Sequence, residues 1–179
     1  CLKSVTFESP SSLESILNGA FMKCSSLIEC LLPPSLNFLG EEAFSECKSL
    51  RMVFLPSSLQ KINKNTFDRC TFLKEVVFET PSLIAEISNQ SFINCHSLKT
   101  FFIPASVMVI GSQAFGNCYD LEQLIFEQDS KLTMVSADAF RYCKGLSETS
   151  FPNGVRAGYS PQIERKQQPH ETKSKCSIY

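Results

Sequence analysis

Nine cysteines are the residues of this chain whose type and spacing could do chemistry. Six fall in one signature, Phe-x-x-Cys-x-x-Leu, at Phe21/Cys24/Leu27, Phe44/Cys47/Leu50, Phe67/Cys70/Leu73, Phe92/Cys95/Leu98, Phe115/Cys118/Leu121 and Phe140/Cys143/Leu146. A thiol can pair into a disulfide, ligate a metal or act as a nucleophile, and each role needs a particular neighbour. Zinc sites use clusters such as Cys-x-x-Cys, and the sequence has none. With two histidines, no glycine-rich phosphate loop and no nucleophile beside a base, the sequence supports neither an enzyme nor a cofactor site. Stacked turns of chain lie about 5 Å apart, close enough for disulfides. The regular placement favours free, buried thiols packed as small apolar groups, because free cysteine is among the most buried residue types.

The elements that hold these residues follow from the period. The motif leucines, with Leu2, stand at 2, 27, 50, 73, 98, 121 and 146, at intervals of 23 or 25 residues, a spacing that belongs to solenoids. Each unit opens with Leu-x-x-apolar-x-apolar, which predicts a short strand with inward residues such as Leu50/Val53/Leu55 and Leu98/Phe101/Ile103. Seven such strands of one direction imply a parallel sheet. The 23-residue units leave the strand through Pro33, Pro56 or Pro104, the 25-residue units through Glu8, Glu79 or Glu127 and a longer loop. A second apolar pair follows, for example Leu59/Ile62 or Val107/Ile110, then a residue able to cap, among them Gly40, Asn63 and Gly111. Phe and Cys three apart share one side of a helical turn, so the spacing predicts a helix of one to two turns on the outer side.

This pattern resembles the BspA-like leucine-rich repeats, whose units read Leu-x-x-apolar-x-apolar-Pro, an Ile-Gly-like pair, then Ala-Phe-x-x-Cys-x-x-Leu. The resemblance covers residues 2 to about 155 and recurs six times. It implies a right-handed leucine-rich-repeat solenoid whose parallel sheet lines the concave side. It also implies surface or adhesion roles of the kind known in bacteria and in mucosal protists such as amoebae and trichomonads. A lipidation-like C-terminus makes the protist members the closer expectation. Residues 1–155 are then the array, N-terminally truncated because the chain begins inside a repeat, and 156–179 a disordered basic tail. Leu2, Val5 and Phe7 begin the array without a polar cap, which predicts end-to-end self-association.

Two stretches carry functional expectations. The strand position between the last two inward residues holds Leu31, Phe54, Val77, Phe102 and Ile125, bounded by Thr6 and Ser150, which predicts a continuous apolar row on the concave face. Such a row is either a run of good strand formers or a surface that receives another protein. The last four residues, Cys176-Ser177-Ile178-Tyr179, have the Cys-a-a-X shape of a prenylation signal behind Arg165, Lys166, Lys173 and Lys175, though Ser177 is not aliphatic and Tyr179 lies outside the usual terminal set. Prenylated, this tail would place the protein at a membrane or cell surface; unmodified, it would leave a cytoplasmic scaffold. A formal net charge of −1, with −4 on the repeats and +3 on residues 152–179, argues against nucleic acid as a partner.

Overall fold

The computed structural model describes residues 2–8, 10–146, 151, 152 and 155. Among them the chain coils through about six turns, each contributing one longer and one shorter strand. The strands are β1 (Ser4–Val5), β2 (Ser15–Ile16), β3 (Glu29–Leu31), β4 (Phe38–Leu39), β5 (Met52–Leu55), β6 (Lys61–Ile62), β7 (Glu75–Phe78), β8 (Glu86–Ile87), β9 (Thr100–Ile103), β10 (Val109–Ile110), β11 (Gln123–Phe126) and β12 (Met134–Val135). All pairings are parallel, each strand lying beside its counterpart one turn away. The odd-numbered strands form the front ladder, as β1-β3-β5-β7 and β9-β11; the even-numbered strands form a second ladder, as β2-β4 and β6-β8-β10-β12. The second apolar pair of each unit is therefore a strand, where the sequence suggested only the approach to a cap.

Strand alternation decides what enters the column. Cys30, Val53, Val76, Phe101 and Leu124 are buried, as are Leu32, Leu55, Phe78 and Ile103 two residues on. From the second ladder Ile16, Leu39, Ile62, Ile87, Ile110 and Val135 point inward to meet them. The motif phenylalanines stack face to face from turn to turn: centroids run from 5.1 Å for Phe21–Phe44 to 5.5 Å for Phe44–Phe67, with interplanar angles of 14° and 7°. Each such pair contributes about 0.5–1.5 kcal/mol beyond the area it buries.

The expected outer helices do not form. The residue before each motif cysteine, namely Lys23, Glu46, Arg69, Asn94, Asn117 and Tyr142, has φ between 56° and 63°. Four residues earlier Gly19, Glu42, Asn65, Gln90 and Gln113 also have positive φ. An L-residue in this region cannot propagate a right-handed helix. The segment instead makes successive tight turns, and alternate amides donate to the next turn of the column, as in Phe44 N to Thr66 O at 2.8 Å and Glu46 N to Asp68 O at 2.7 Å. Phe and Cys still point inward, so the prediction of their side was right and that of their backbone was not.

The two unit lengths also have a physical reason. Ending a strand with Pro56 or Pro104 leaves the next amide, Ser57 or Ala105, without a ladder acceptor. Glu79 Oε2 accepts from Ser57 N at 2.9 Å, and Glu127 Oε2 accepts from Ala105 N at 2.7 Å, each glutamate lying one turn further along. After Pro33 the same place is taken by Pro34, which has no amide to satisfy. A glutamate strand end thus complements the proline strand end beside it.

Candidate functional site

The front ladder exposes one residue per strand between its two inward positions. Leu31 pairs in register with Phe54 and Phe54 with Val77; Phe102 pairs with Ile125. Leu31, Phe54 and Ile125 are 48%, 41% and 43% exposed, while Val77 and Phe102 are half-buried. The row expected from the sequence is therefore present and outward-facing. Its continuity is broken once, because the hydrogen-bonded ladder stops between β7 and β9. Phe102 leans there toward Phe78, with ring centroids 6.5 Å apart, and Phe78 meets the buried Phe101 edge-on at 5.8 Å. Aromatic packing takes the place of the backbone ladder at that step. Thr6 bounds the row at one end; Ser150, Thr149 and Cys176 with its tail lie outside the described residues.

The sequence reading missed a neighbour of the row. Ile28, one residue after the strand-opening Leu27, is 40% exposed and lies in register with Arg51 of the next turn. The positions equivalent to Ile28 in the following turns are Arg51, Lys74, Lys99 and Glu122, all exposed. Backbone bonds hold most of this row in register: Arg51 N to Ile28 O, Lys74 N to Arg51 O and Glu122 N to Lys99 O. Only the periodicity, read one column over, would have found it.

The cysteines are free among the described residues, and Cys47, Cys70, Cys95, Cys118 and Cys143 stand in file. They are more than small apolar groups. Each Sγ–H donates to the carbonyl of the phenylalanine in the preceding turn, from Cys143 to Phe115 O at 3.0 Å to Cys70 to Phe44 O at 3.2 Å. Burial pushes the Cys30 and Cys47 thiols up to about 12, and raises Cys70, Cys95 and Cys118 as well. Protonated thiols of this kind are poor nucleophiles. Burial likewise raises Asp68, whose Oδ1 accepts from Asn94 Nδ2 at 3.0 Å in a chain that continues through Asn117. Among the described residues no group of three His, Cys, Asp or Glu side chains could hold a metal ion, and no helix is long and apolar enough to cross a membrane.

Leu2 and Leu17 are 45% and 69% exposed, and Lys23, Cys24, Ser25 and Ser26 line a depression of about 230 Å³ with Leu2. Phe21 stacks on Phe44, its partner in the next turn.

Comparison with known proteins agrees with this geometry. The chain is similar to a leucine-rich repeat protein of T. pallidum, at 28% identity and TM-score 0.64 over 75% of this chain and 69% of that one. It is also similar to a leucine-rich repeat protein from Bacteroides ovatus, at 25% identity and TM-score 0.65 over 86% of this chain and 46% of that one. A leucine rich cell surface protein from Faecalibacterium prausnitzii shares the fold, at 23% identity and TM-score 0.62, with 80% of this chain and 44% of that one covered. The chain thus spans about half the length of the latter two. All three are bacterial, and none of them supports the protist affinity expected from the sequence. No curated protein sequence matches. The profile of the BspA type leucine rich repeat region matches six copies over residues 1–122 and 78–160. This chain therefore belongs to the BspA-type leucine-rich repeat family.

Proposed function

We propose that this chain is a non-catalytic recognition module that receives another protein on its front ladder, across Leu31, Phe54, Val77, Phe102 and Ile125. The carrying observation is that five apolar side chains occupy consecutive turns on the outward side of strands whose other side is already committed to the core. Solvent-facing strand positions are ordinarily polar, and a contiguous apolar patch marks an interface. The solenoid supplies a rigid platform whose contact residues can vary without disturbing the column. We place the module at a surface, in adhesion or recognition, in keeping with its family. Prenylation of Cys176 beside Arg165, Lys166, Lys173 and Lys175 would be the anchoring chemistry, since one lipid chain needs a basic segment as its second membrane signal. Comparing the membrane fractions of wild type and Cys176→Ser tests that part separately.

The binding reading is tested by immobilising the full chain and selecting binders from a phage library of random 16-residue peptides. Phe54→Glu is the appropriate counter-variant, because Phe54 is exposed and flanked in register by β3 and β7, whereas Phe102 also packs toward Phe78. The expected result is that selected peptides lose binding to Phe54→Glu while the variant keeps its circular dichroism and its Tm within a few degrees. Undiminished binding by a folded Phe54→Glu protein would overturn the reading.

A further inference from the structure

The front ladder is interrupted between β7 and β9, and the second ladder between β4 and β6. The two interruptions are not alike. At the rear one the Asn63 side chain donates to Leu39 O at 2.7 Å, and the front strands of the same two turns, β3 and β5, pair in register. At the front one no hydrogen bond replaces the ladder among the described residues: the links from Lys74 N to Arg51 O and from Glu122 N to Lys99 O have no counterpart between Lys99 N and Lys74 O. The rings of Phe78, Phe101 and Phe102 fill the step instead.

The size of one core residue explains the opening. The first inward column of the front strands holds Cys30, Val53, Val76, Phe101 and Leu124, so Phe101 is a ring among thiol and aliphatic side chains. It stands edge-on to Phe92 of the preceding turn at 5.1 Å and to Phe115 of its own turn at 4.7 Å, two rings that stack on each other at 5.4 Å. Phe78 meets it at 5.8 Å. A ring in a column sized for valine and leucine forces the backbone to shift, and β9 is the strand it carries away from β7. Behind the seam the same two turns stay joined. There β8 and β10 pair in register, Gly111 N donates to Ile87 O at 2.8 Å, and Phe92 N donates to Ala114 O at 2.8 Å.

We propose that this step is a hinge, at which the front face opens and closes about the β8–β10 ladder. One half of the face, Leu31, Phe54 and Val77, lies on β3-β5-β7; the other, Phe102 and Ile125, lies on β9-β11. Each half is held rigid by its own ladder, and the spacing between the halves is the variable. Hinge motions of this kind run in microseconds to milliseconds. A partner that contacts both halves selects one setting, whereas a partner confined to one half leaves the populations unchanged. The hinge does not depend on what binds, so its test uses the free protein, and its failure leaves the recognition reading standing.

Parallel pairing turns alternate backbone groups toward opposite neighbours. Gln123 N bonds Lys99 O and Glu127 N bonds Ile103 O, so Phe101 and Ile103 face β11 while Thr100 and Phe102 face the seam. Glu75 N bonds Arg51 O and Glu79 N bonds Leu55 O, so Val76 and Phe78 face the seam from β7. Amide hydrogen exchange, followed by NMR on the full chain, should therefore alternate along β9, with Thr100 and Phe102 at least about tenfold faster than Phe101 and Ile103. Relaxation dispersion is expected at Thr100, Phe102, Val76 and Phe78 and not at Val53 or Phe54 of β5. Phe101→Leu, which gives this turn the residue that Leu124 supplies one turn on, should slow exchange at Thr100 and Phe102 and remove the dispersion. Uniform protection along β9 would overturn the proposal, as would alternation without dispersion, the mark of a fixed gap. Dispersion undiminished in a folded Phe101→Leu protein would overturn it as well; should that variant not fold, the wild-type measurements alone decide.

Discussion

At the scale of single residues, the cysteine file links burial, hydrogen bonding and pH. A thiol held protonated in the folded state ionises more readily once unfolded, so its contribution to stability is complete below about pH 9 and is lost as the pH rises toward about 12. Each such thiol steepens the loss by up to about 1.4 kcal/mol per pH unit. The urea midpoint should therefore fall progressively above pH 9, and less steeply in Cys47→Ala; a midpoint with the same slope in both proteins would contradict the assignment. Cys95→Ala removes a donor from Phe67 O as well as the sulfur's contacts, and should cost about 1–2 kcal/mol at neutral pH. Gly40 and Gly111 are constrained differently. A Cβ on Gly40 would enter the backbone of Leu17 and Asn18, and one on Gly111 that of Ser88 and Asn89. The asparagines in those positions donate no space either, since Asn18 Oδ1 and Asn89 Oδ1 accept from the amides of Glu41 and Ser112, one residue past each glycine, at 2.9 Å. Gly40→Ala should lower stability by about 1–3 kcal/mol in a denaturant titration.

At the scale of elements, the strands of the front ladder were legible because alternation of apolar side chains is a direct consequence of strand geometry. Val53/Leu55 and Phe101/Ile103 could be assigned inward from sequence alone. The second ladder was harder, because its strands are two residues long and a pair such as Ile16 or Ile62 with its neighbour has no period to read. The outer helices were mispredicted for a specific reason: three-residue spacing of Phe and Cys suits a helical turn and a tight turn equally, and only φ at Glu46, Arg69 or Asn94 separates them. Lysine, glutamate and arginine are not residues that advertise a left-handed conformation. The Pro56–Glu79 and Pro104–Glu127 pairing lay in the sequence as an alternation of turn types, but its meaning needs the neighbouring turn. Partner hydrogen bonds hold the Glu79 carboxyl below its usual range, chiefly the one from the Ser57 amide. Its stabilisation is present above about pH 4.5 and fades as the pH drops through the folded-state value. Glu79→Gln should therefore differ from wild type slightly at pH 7, by less than about 1 kcal/mol, and the difference should vanish in acid.

At the scale of the whole molecule, the 23- and 25-residue period carried the architecture, and the apolar row on the front ladder followed from it residue by residue. The exposed column that precedes the strands did not, because Ile28, Arg51, Lys74, Lys99 and Glu122 are separated by the same period yet look like ordinary surface residues until the strands are laid side by side. The central claim is that the front ladder is the recognition face, and chemical-shift mapping tests it most directly. Titrating an isotope-labelled full chain with a selected peptide should shift Leu31, Phe54, Val77, Phe102 and Ile125 together. Shifts confined instead to the second ladder, at Phe38, Val109 and Met134, would contradict it.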